Sequence, residues 1–133
     1  MLIYCDSAII IYYLDNTGRF HVRATARLTA LAAAGDEVAV TDLTRLEYRV
    51  GPLKRGDPVA LAEYDRFVAR PGVRILPLPT AVYDRAAELR ARYGYKTPDA
   101  LHLAAAIVHG CDRFLTNDTR LSACTALPID VLP

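Results

Sequence analysis

A chain of 133 residues fits one domain, residues 1–133, and is long enough to bury a core without disulfides or a structural metal. Hydrophobic residues make up 53% and charged residues 23%, which excludes a disordered chain, and no apolar run approaches the ~18 residues a membrane span needs. The 16 basic and 15 acidic residues leave a formal charge of +1, too small for a global field drawing the protein onto nucleic acid or a membrane.

The predicted elements follow a regular alternation. Residues 2–5, Leu-Ile-Tyr-Cys, read as a buried strand ending at Asp6, and a helix over 7–14 follows, capped by Asp6 or Ser7. Asn16-Thr17-Gly18 marks a turn before a helix over 20–34, and Gly35-Asp36 a turn before a strand over 38–41. Helices over 42–54 and 58–69 come next, the second opened by the cap and proline pair Asp57-Pro58. A strand over 73–76 leads to helices over 80–93 and 98–109. Thr97-Pro98-Asp99 supplies a cap, a first-turn proline and a first-turn acid, and Gly110 ends the last helix. Strands over 113–116 and 129–132 complete the chain. Most intervals between strands are long enough for a crossover helix, so the expected fold is α/β: a mainly parallel sheet of about five strands, flanked by helices on both faces.

Three cysteines without a close-spaced pair argue against a disulfide framework and against zinc. The opening Met1-Leu2-Ile3-Tyr4-Cys5-Asp6 lacks a basic leader, so a soluble, cytoplasmic protein is expected. Of the 16 basic residues 14 are arginine. Arginine is the better phosphate ligand, although base composition of the genome explains the bias at least as well.

The carboxylates are more informative. Asp6 ends the first strand and Asp118 lies two residues beyond the fourth. Glu47 and Asp99 sit early in helices that border the same edge, and ligands of parallel sheets bind outside the carboxyl ends of strands. Two like charges about 4 Å apart repel by roughly 4 kcal/mol at an effective dielectric near 20. Four converging carboxylates therefore need protons or a cation, and a hard ion such as Mg²⁺ or Mn²⁺ suits an all-oxygen donor set. Each acid also has a plainer reading: an N-cap for Asp6, a first-turn residue for Asp99, a turn former for Asp118, and an arginine partner on its own helix for Glu47. His102, one turn after Asp99, is read first as a surface or packing residue and second as a base or RNA contact; Ser7 is read first as a cap and second, with Thr116, as a hydrogen-bond partner of an acid oxygen or a metal-bound water.

Four segments carry a resemblance. Ile3-Tyr4-Cys5-Asp6-Ser7-Ala8-Ile9-Ile10-Ile11-Tyr12-Tyr13-Leu14-Asp15, Thr41-Asp42-Leu43-Thr44-Arg45-Leu46-Glu47, Lys96-Thr97-Pro98-Asp99-Ala100-Leu101-His102-Leu103-Ala104-Ala105-Ala106 and Asp112-Arg113-Phe114-Leu115-Thr116-Asn117-Asp118-Thr119-Arg120-Leu121 occur in that order along nearly the whole chain. Together they resemble the PIN domain, and within it the VapC-type toxins of toxin–antitoxin pairs. The resemblance implies a Mg²⁺-dependent endoribonuclease (Mn²⁺ being the alternative ion) that hydrolyses RNA through a metal-activated water and is inhibited by a cognate antitoxin. It carries Asp6, Glu47, Asp99 and Asp118 over as the catalytic quartet. Asp6 and Asp99 are expected as direct metal ligands, with Asp118 and Glu47 completing the set, and Thr116 and Asn117 as polar neighbours of the fourth acid.

The family resemblance also implies a homodimer, with no membrane association. Tyr12, Tyr13 and Leu14, with the apolar faces of the helices over 20–34 and 42–54, are the candidate dimer seam and antitoxin groove. Arg45, Arg49, Lys96 and Arg120 flank the acidic motifs without being assigned to the site. The alternative is a catalytically silent PIN-like module that binds RNA or an antitoxin. A haloacid-dehalogenase-like phosphatase is disfavoured because Ala8 stands where that chemistry wants a second acid.

Overall fold

The computed structural model describes residues 1–16 and 18–133; Thr17, within the turn expected at 16–18, lies outside the described residues. Five strands form one sheet in the order β3-β2-β1-β4-β5: β1 (Leu2–Cys5), β2 (Glu37–Val40), β3 (Val73–Ile75), β4 (Arg113–Thr116) and β5 (Ile129–Val131). Every strand pair is parallel. The helices are α1 (Ser7–Asp15), α2 (Gly18–Ala33), α3 (Asp42–Arg55), α4 (Pro58–Val68), α5 (Thr80–Tyr93) and α6 (Thr97–Val108), with a short 3₁₀ helix at Thr119–Ala123.

Strand side chains alternate between the two faces, and the central strand shows it directly. Ile3 and Cys5 enter a core with Ile9, Ile10, Leu28, Tyr48 and Phe67, contributed by α1 to α4. Tyr4 enters the opposite core with Val82, Leu89, Leu103 and Phe114, where α5 and α6 pack. The Tyr4 and Phe114 rings stack at 5.4 Å between centroids. The run Ala104-Ala105-Ala106 is wholly buried, and such small side chains let α6 lie close against its neighbours. A fully buried Leu or Phe here contributes about 1.5–3 kcal/mol relative to exposure.

Local chemistry sets the boundaries. Asp6 caps α1 by accepting from the Ser7 amide at 2.9 Å, and Asp57 caps α4 through the Ala60 amide at 3.1 Å. The second strand stops one residue before the expected 41, because Thr41 leaves the ladder to cap α3 through the Leu43 amide at 3.3 Å. For α6 the expected cap is one residue late: Lys96 holds the N-cap position without a side-chain hydrogen bond, and Thr97 is already helical. Gly110, with φ +68°, takes the left-handed conformation that closes this helix.

Strand order is what positions the site. From β1 the chain adds β2 and β3 on one side, then crosses to add β4 and β5 on the other. The carboxyl ends of β1 and β4 are thus the point where the winding reverses, the crevice in which open parallel sheets bind ligands.

Candidate active site

Asp6 and Thr116 stand on the two strands at this reversal. The Asp6 amide donates to the Leu115 carbonyl at 2.9 Å, continuing the β1–β4 ladder by one residue. Its carboxylate is then held at both oxygens: Oδ1 by the Ser7 amide at 2.9 Å and Oδ2 by the Thr116 hydroxyl at 2.8 Å. The same hydroxyl accepts from the Asp118 amide at 3.1 Å. One buried side chain therefore fixes both the first acid and the backbone that carries the fourth. Asn117 is engaged elsewhere, donating to the Tyr12 hydroxyl at 2.9 Å.

Asp99 lies half-buried in the first turn of α6. Burial, and then the charges of Asp6 and Asp118, push its carboxyl above the ordinary range, with Arg120 opposing. Asp118 has the opposite environment. The Arg120 guanidinium grips it with Nε at 3.0 Å from Oδ1 and Nη2 at 2.6 Å from Oδ2, and the Arg120 amide donates to Oδ1 at 3.0 Å. Those contacts hold the Asp118 carboxyl below its usual value. Arg120 Nη2 also lies 3.9 Å from Asp99 Oδ2, so an exposed cation stands over two of the acids.

Glu47 does not pair with an arginine of its own helix; Arg45 reaches across to Asp65 on α4 at 2.7 Å instead. The Glu47 Oε1 atom meets His102 Nε2 at 2.6 Å and accepts from the Ser7 hydroxyl at 2.8 Å. Burial pushes this carboxyl up, but the His102 and Ser7 contacts outweigh it and leave it below the ordinary value. His102 is 1% exposed. Its Nδ1 lies 2.7 Å from the Tyr4 hydroxyl, which in turn is 3.2 Å from the Thr41 hydroxyl, and its Nε2 is 4.0 Å from Asp6 Oδ1. A surface position for His102 is thus excluded: it packs beneath the acids with a polar partner on each ring nitrogen.

Sequence reasoning passed over Tyr4 and Thr41; Ser7, read first as a cap and second as a hydrogen-bond partner of an acid oxygen, takes the second role on Glu47. The available signal was Tyr4 itself, since a phenol in a buried strand needs a partner for its hydroxyl.

Oxygen donors and a desolvated carboxyl burdened by two neighbouring negative charges fit a hard divalent cation. Side chains as they lie do not form a closed cage: among the described residues no three His, Cys, Asp or Glu side chains group tightly enough to hold an ion. Arg120 engages Asp118, and His102 and Ser7 engage Glu47. Cys5 offers nothing here. It is wholly buried, and burial pushes its thiol up to about 12.

A parallel α/β domain with carboxylates at the carboxyl edge of its sheet defines the class, and the comparisons with known proteins give the family. The model of the PIN domain matches residues 3–126, and the chain belongs to that family. Its fold is similar to several solved structures. VapBC2 from Rickettsia felis, bound to a DNA fragment from their promoter, superposes with a TM-score of 0.81 at 16% identity, covering 100% of both chains. DNA-bound VapBC from Salmonella typhimurium gives 0.77 at 17% identity, again over 100% of each chain. VapC20 of Mycobacterium tuberculosis, a toxin that cleaves the Sarcin-Ricin loop, gives 0.77 at 18% identity over 98% of this chain and 99% of that one. Among curated protein sequences none matches significantly.

Proposed function

We propose that this PIN domain is the toxin of a type II toxin–antitoxin pair and acts as a Mg²⁺-dependent endoribonuclease. The observation that carries the reading is the approach of the acids at the β1–β4 edge, where the Thr116 hydroxyl joins Asp6 Oδ2 and the Asp118 amide at 2.8 and 3.1 Å and Arg120 spans Asp118 and Asp99 at 2.6 and 3.9 Å, an all-oxygen set that suits a divalent cation. Asp6 and Asp99 would hold the ion directly, with Asp118 and Glu47 completing the acidic set. When bound, Mg²⁺ supplies positive charge that acidifies a water and offsets charge developing on phosphate oxygens. The protein's own part is positional. Ser7 and Thr116 orient Asp6, and an ionised Glu47 accepts a hydrogen bond from the attacking water. Arg120 lies at the exposed rim, where a guanidinium can meet an RNA phosphate once it leaves Asp118.

An antitoxin is the expected inhibitor. A cleft of about 630 Å³ is bordered by Ile11, Leu14, Glu47, Tyr48 and Val59 of α1, α3 and α4, and Leu46, Val50 and Leu53 leave an exposed apolar stripe along α3. Both features suit an amphipathic segment laid beside the acids. Tyr12 and Tyr13 are less available than expected, since Tyr12 stacks on Phe20 and Tyr13 packs at a tilt against Phe67. The toxin would act as a homodimer in the cytoplasm. Among the described residues no helix is long and apolar enough to cross a membrane.

The test is cleavage of total RNA by the purified protein with Mg²⁺ or with EDTA, followed by mapping of the new ends. Metal-dependent cuts bearing 5′-phosphates are expected. Absence of both divalent-ion binding and cleavage would instead favour the silent RNA- or antitoxin-binding module.

A further inference from the structure

Four elements meet at His102. It sits on α6, one turn after Asp99, and its ring lies between Tyr4 of β1, Ser7 of α1 and Glu47 of α3. These partners are 98, 95 and 55 residues away in sequence, so the contacts are a product of the fold. All the groups are satisfied: no buried side-chain nitrogen or oxygen among the described residues lacks a partner. A fully connected buried polar network of this kind is rigid, because breaking any bond strands a polar atom away from water.

Hydrogen-bond directions follow from the chemistry of the ends. An ionised Glu47 carboxylate only accepts. The short contact of 2.6 Å between its Oε1 and His102 Nε2 therefore requires a hydrogen on Nε2. The Ser7 hydroxyl donates to the same oxygen at 2.8 Å. Both bonds fall on Oε1, and neither engages Oε2. On the opposite edge of the imidazole, the Tyr4 hydroxyl backs Nδ1 and prevents the ring from tilting away.

We infer that His102 is a positioning residue for RNA hydrolysis: braced by Tyr4, it clamps Oε1 of Glu47 and so aims Oε2 at the attacking water. The inference rests on the nuclease reading above and narrows it, because it separates the work of Glu47 from the ion-holding work of Asp6 and Asp99. His102 touches neither RNA nor ion in this scheme. Its effect passes through Glu47.

Two measurements on the full-length protein decide it. The first is a long-range ¹H–¹⁵N correlation of the histidine rings in the unaltered protein, which expects a hydrogen on Nε2 of His102. A ring with bare Nε2 overturns the inference whether or not the protein cleaves RNA. The second is single-turnover cleavage of total RNA with protein in excess, paired with Mn²⁺ titration calorimetry on the same samples. His102→Leu should lower the maximal rate by about 10–100-fold, with the half-saturating protein concentration and the Mn²⁺ affinity unchanged. His102→Gln, which keeps a donor near Glu47, should recover most of the rate. A folded His102→Leu protein with the wild-type rate, or one that loses Mn²⁺ affinity in parallel, overturns the inference. Tyr4→Phe removes only the brace and should slow cleavage several-fold, which keeps the test decisive should His102→Leu not fold; an undiminished rate there counts against the clamp. If instead the unaltered protein neither binds Mn²⁺ nor cleaves RNA, the nuclease reading fails independently of the ring-nitrogen result.

Discussion

The two flanks of the site hold their carboxylates by opposite means. On the inner flank, Glu47 is fixed by His102 and Ser7, whose contacts are backed by the buried hydroxyls of Tyr4 and Thr41. On the outer flank, Asp118 is held by Arg120, whose side chain is 67% exposed. Buried bonds persist because their alternatives leave polar atoms unsatisfied, whereas an exposed ion pair is screened and yields readily to another cation. The difference lies in the partners, since Glu47 and Asp118 are themselves similarly exposed, at 30% and 24%. The inner flank has the character of a scaffold, and the outer flank of a part that can exchange partners.

The largest expected effect lies between the flanks, at Asp99. Replacing it by Asn should reduce Mg²⁺-dependent RNA cleavage by about 10²-fold or more, measured as the initial rate on total RNA, with an unchanged circular-dichroism spectrum. The same variant has a thermal signature. A carboxyl raised above its ordinary value of 3.8 binds a proton more tightly in the folded state, so its ionisation destabilises the fold as pH rises through the raised value. Asp99→Asn removes that penalty and should melt higher than wild type at pH 7 without metal, the gap closing as pH falls below the ordinary Asp value. Mg²⁺ should raise the wild-type melting temperature and leave the variant nearly unmoved.

Next in size is the hinge between the flanks. Thr116→Val keeps the shape but removes the donor to Asp6 and the acceptor for the Asp118 amide. A loss of about 1–3 kcal/mol in unfolding free energy is expected, with Mg²⁺ affinity lower by about 10-fold; denaturant melts and calorimetry would read the two separately.

The smallest effect belongs to the outer flank. Arg120→Ala removes an internal cation that competes for Asp118, so Mn²⁺ affinity should rise by a few-fold at low salt, and the gain should shrink as ionic strength increases. A decrease in affinity would show that Arg120 supports the site and does not compete for it. The Asp118 carboxyl, lowered by Arg120, contributes stability above its ordinary value that is lost as pH falls. That acid-side contribution should shrink in Arg120→Ala, which keeps only the backbone amide bond to Asp118 Oδ1 and the more distant charge of Lys96.

Much of the frame was legible because local signals and long-range packing agree. The strands at 2–5 and 113–116 and the helix at 80–93 appear at the expected residues, since apolar runs and capping residues act over a few positions. The cap of α6 was misplaced by one residue because Pro98 tolerates either of the first helical positions. At the site, Asp6 and Thr116 could be placed at strand ends from sequence, but their 2.8 Å bond could not. That bond requires β1 and β4 to be neighbours, and strand order leaves no local mark on the chain. For His102 the packing reading holds and the surface reading fails, and its three partners were illegible for the same reason, since they come from three other elements.

The sequence by itself determined the alternation of strands and helices, the resemblance to the PIN family and the acids that are candidates for chemistry, because periodicity, capping and motif spacing are properties of short stretches. Only the tertiary structure decided that the sheet reverses between β1 and β4, that Glu47 answers to a buried histidine, and that Asp118 answers to an exposed arginine. Those outcomes depend on which distant surfaces are desolvated together, a quantity that exists only once the chain has folded.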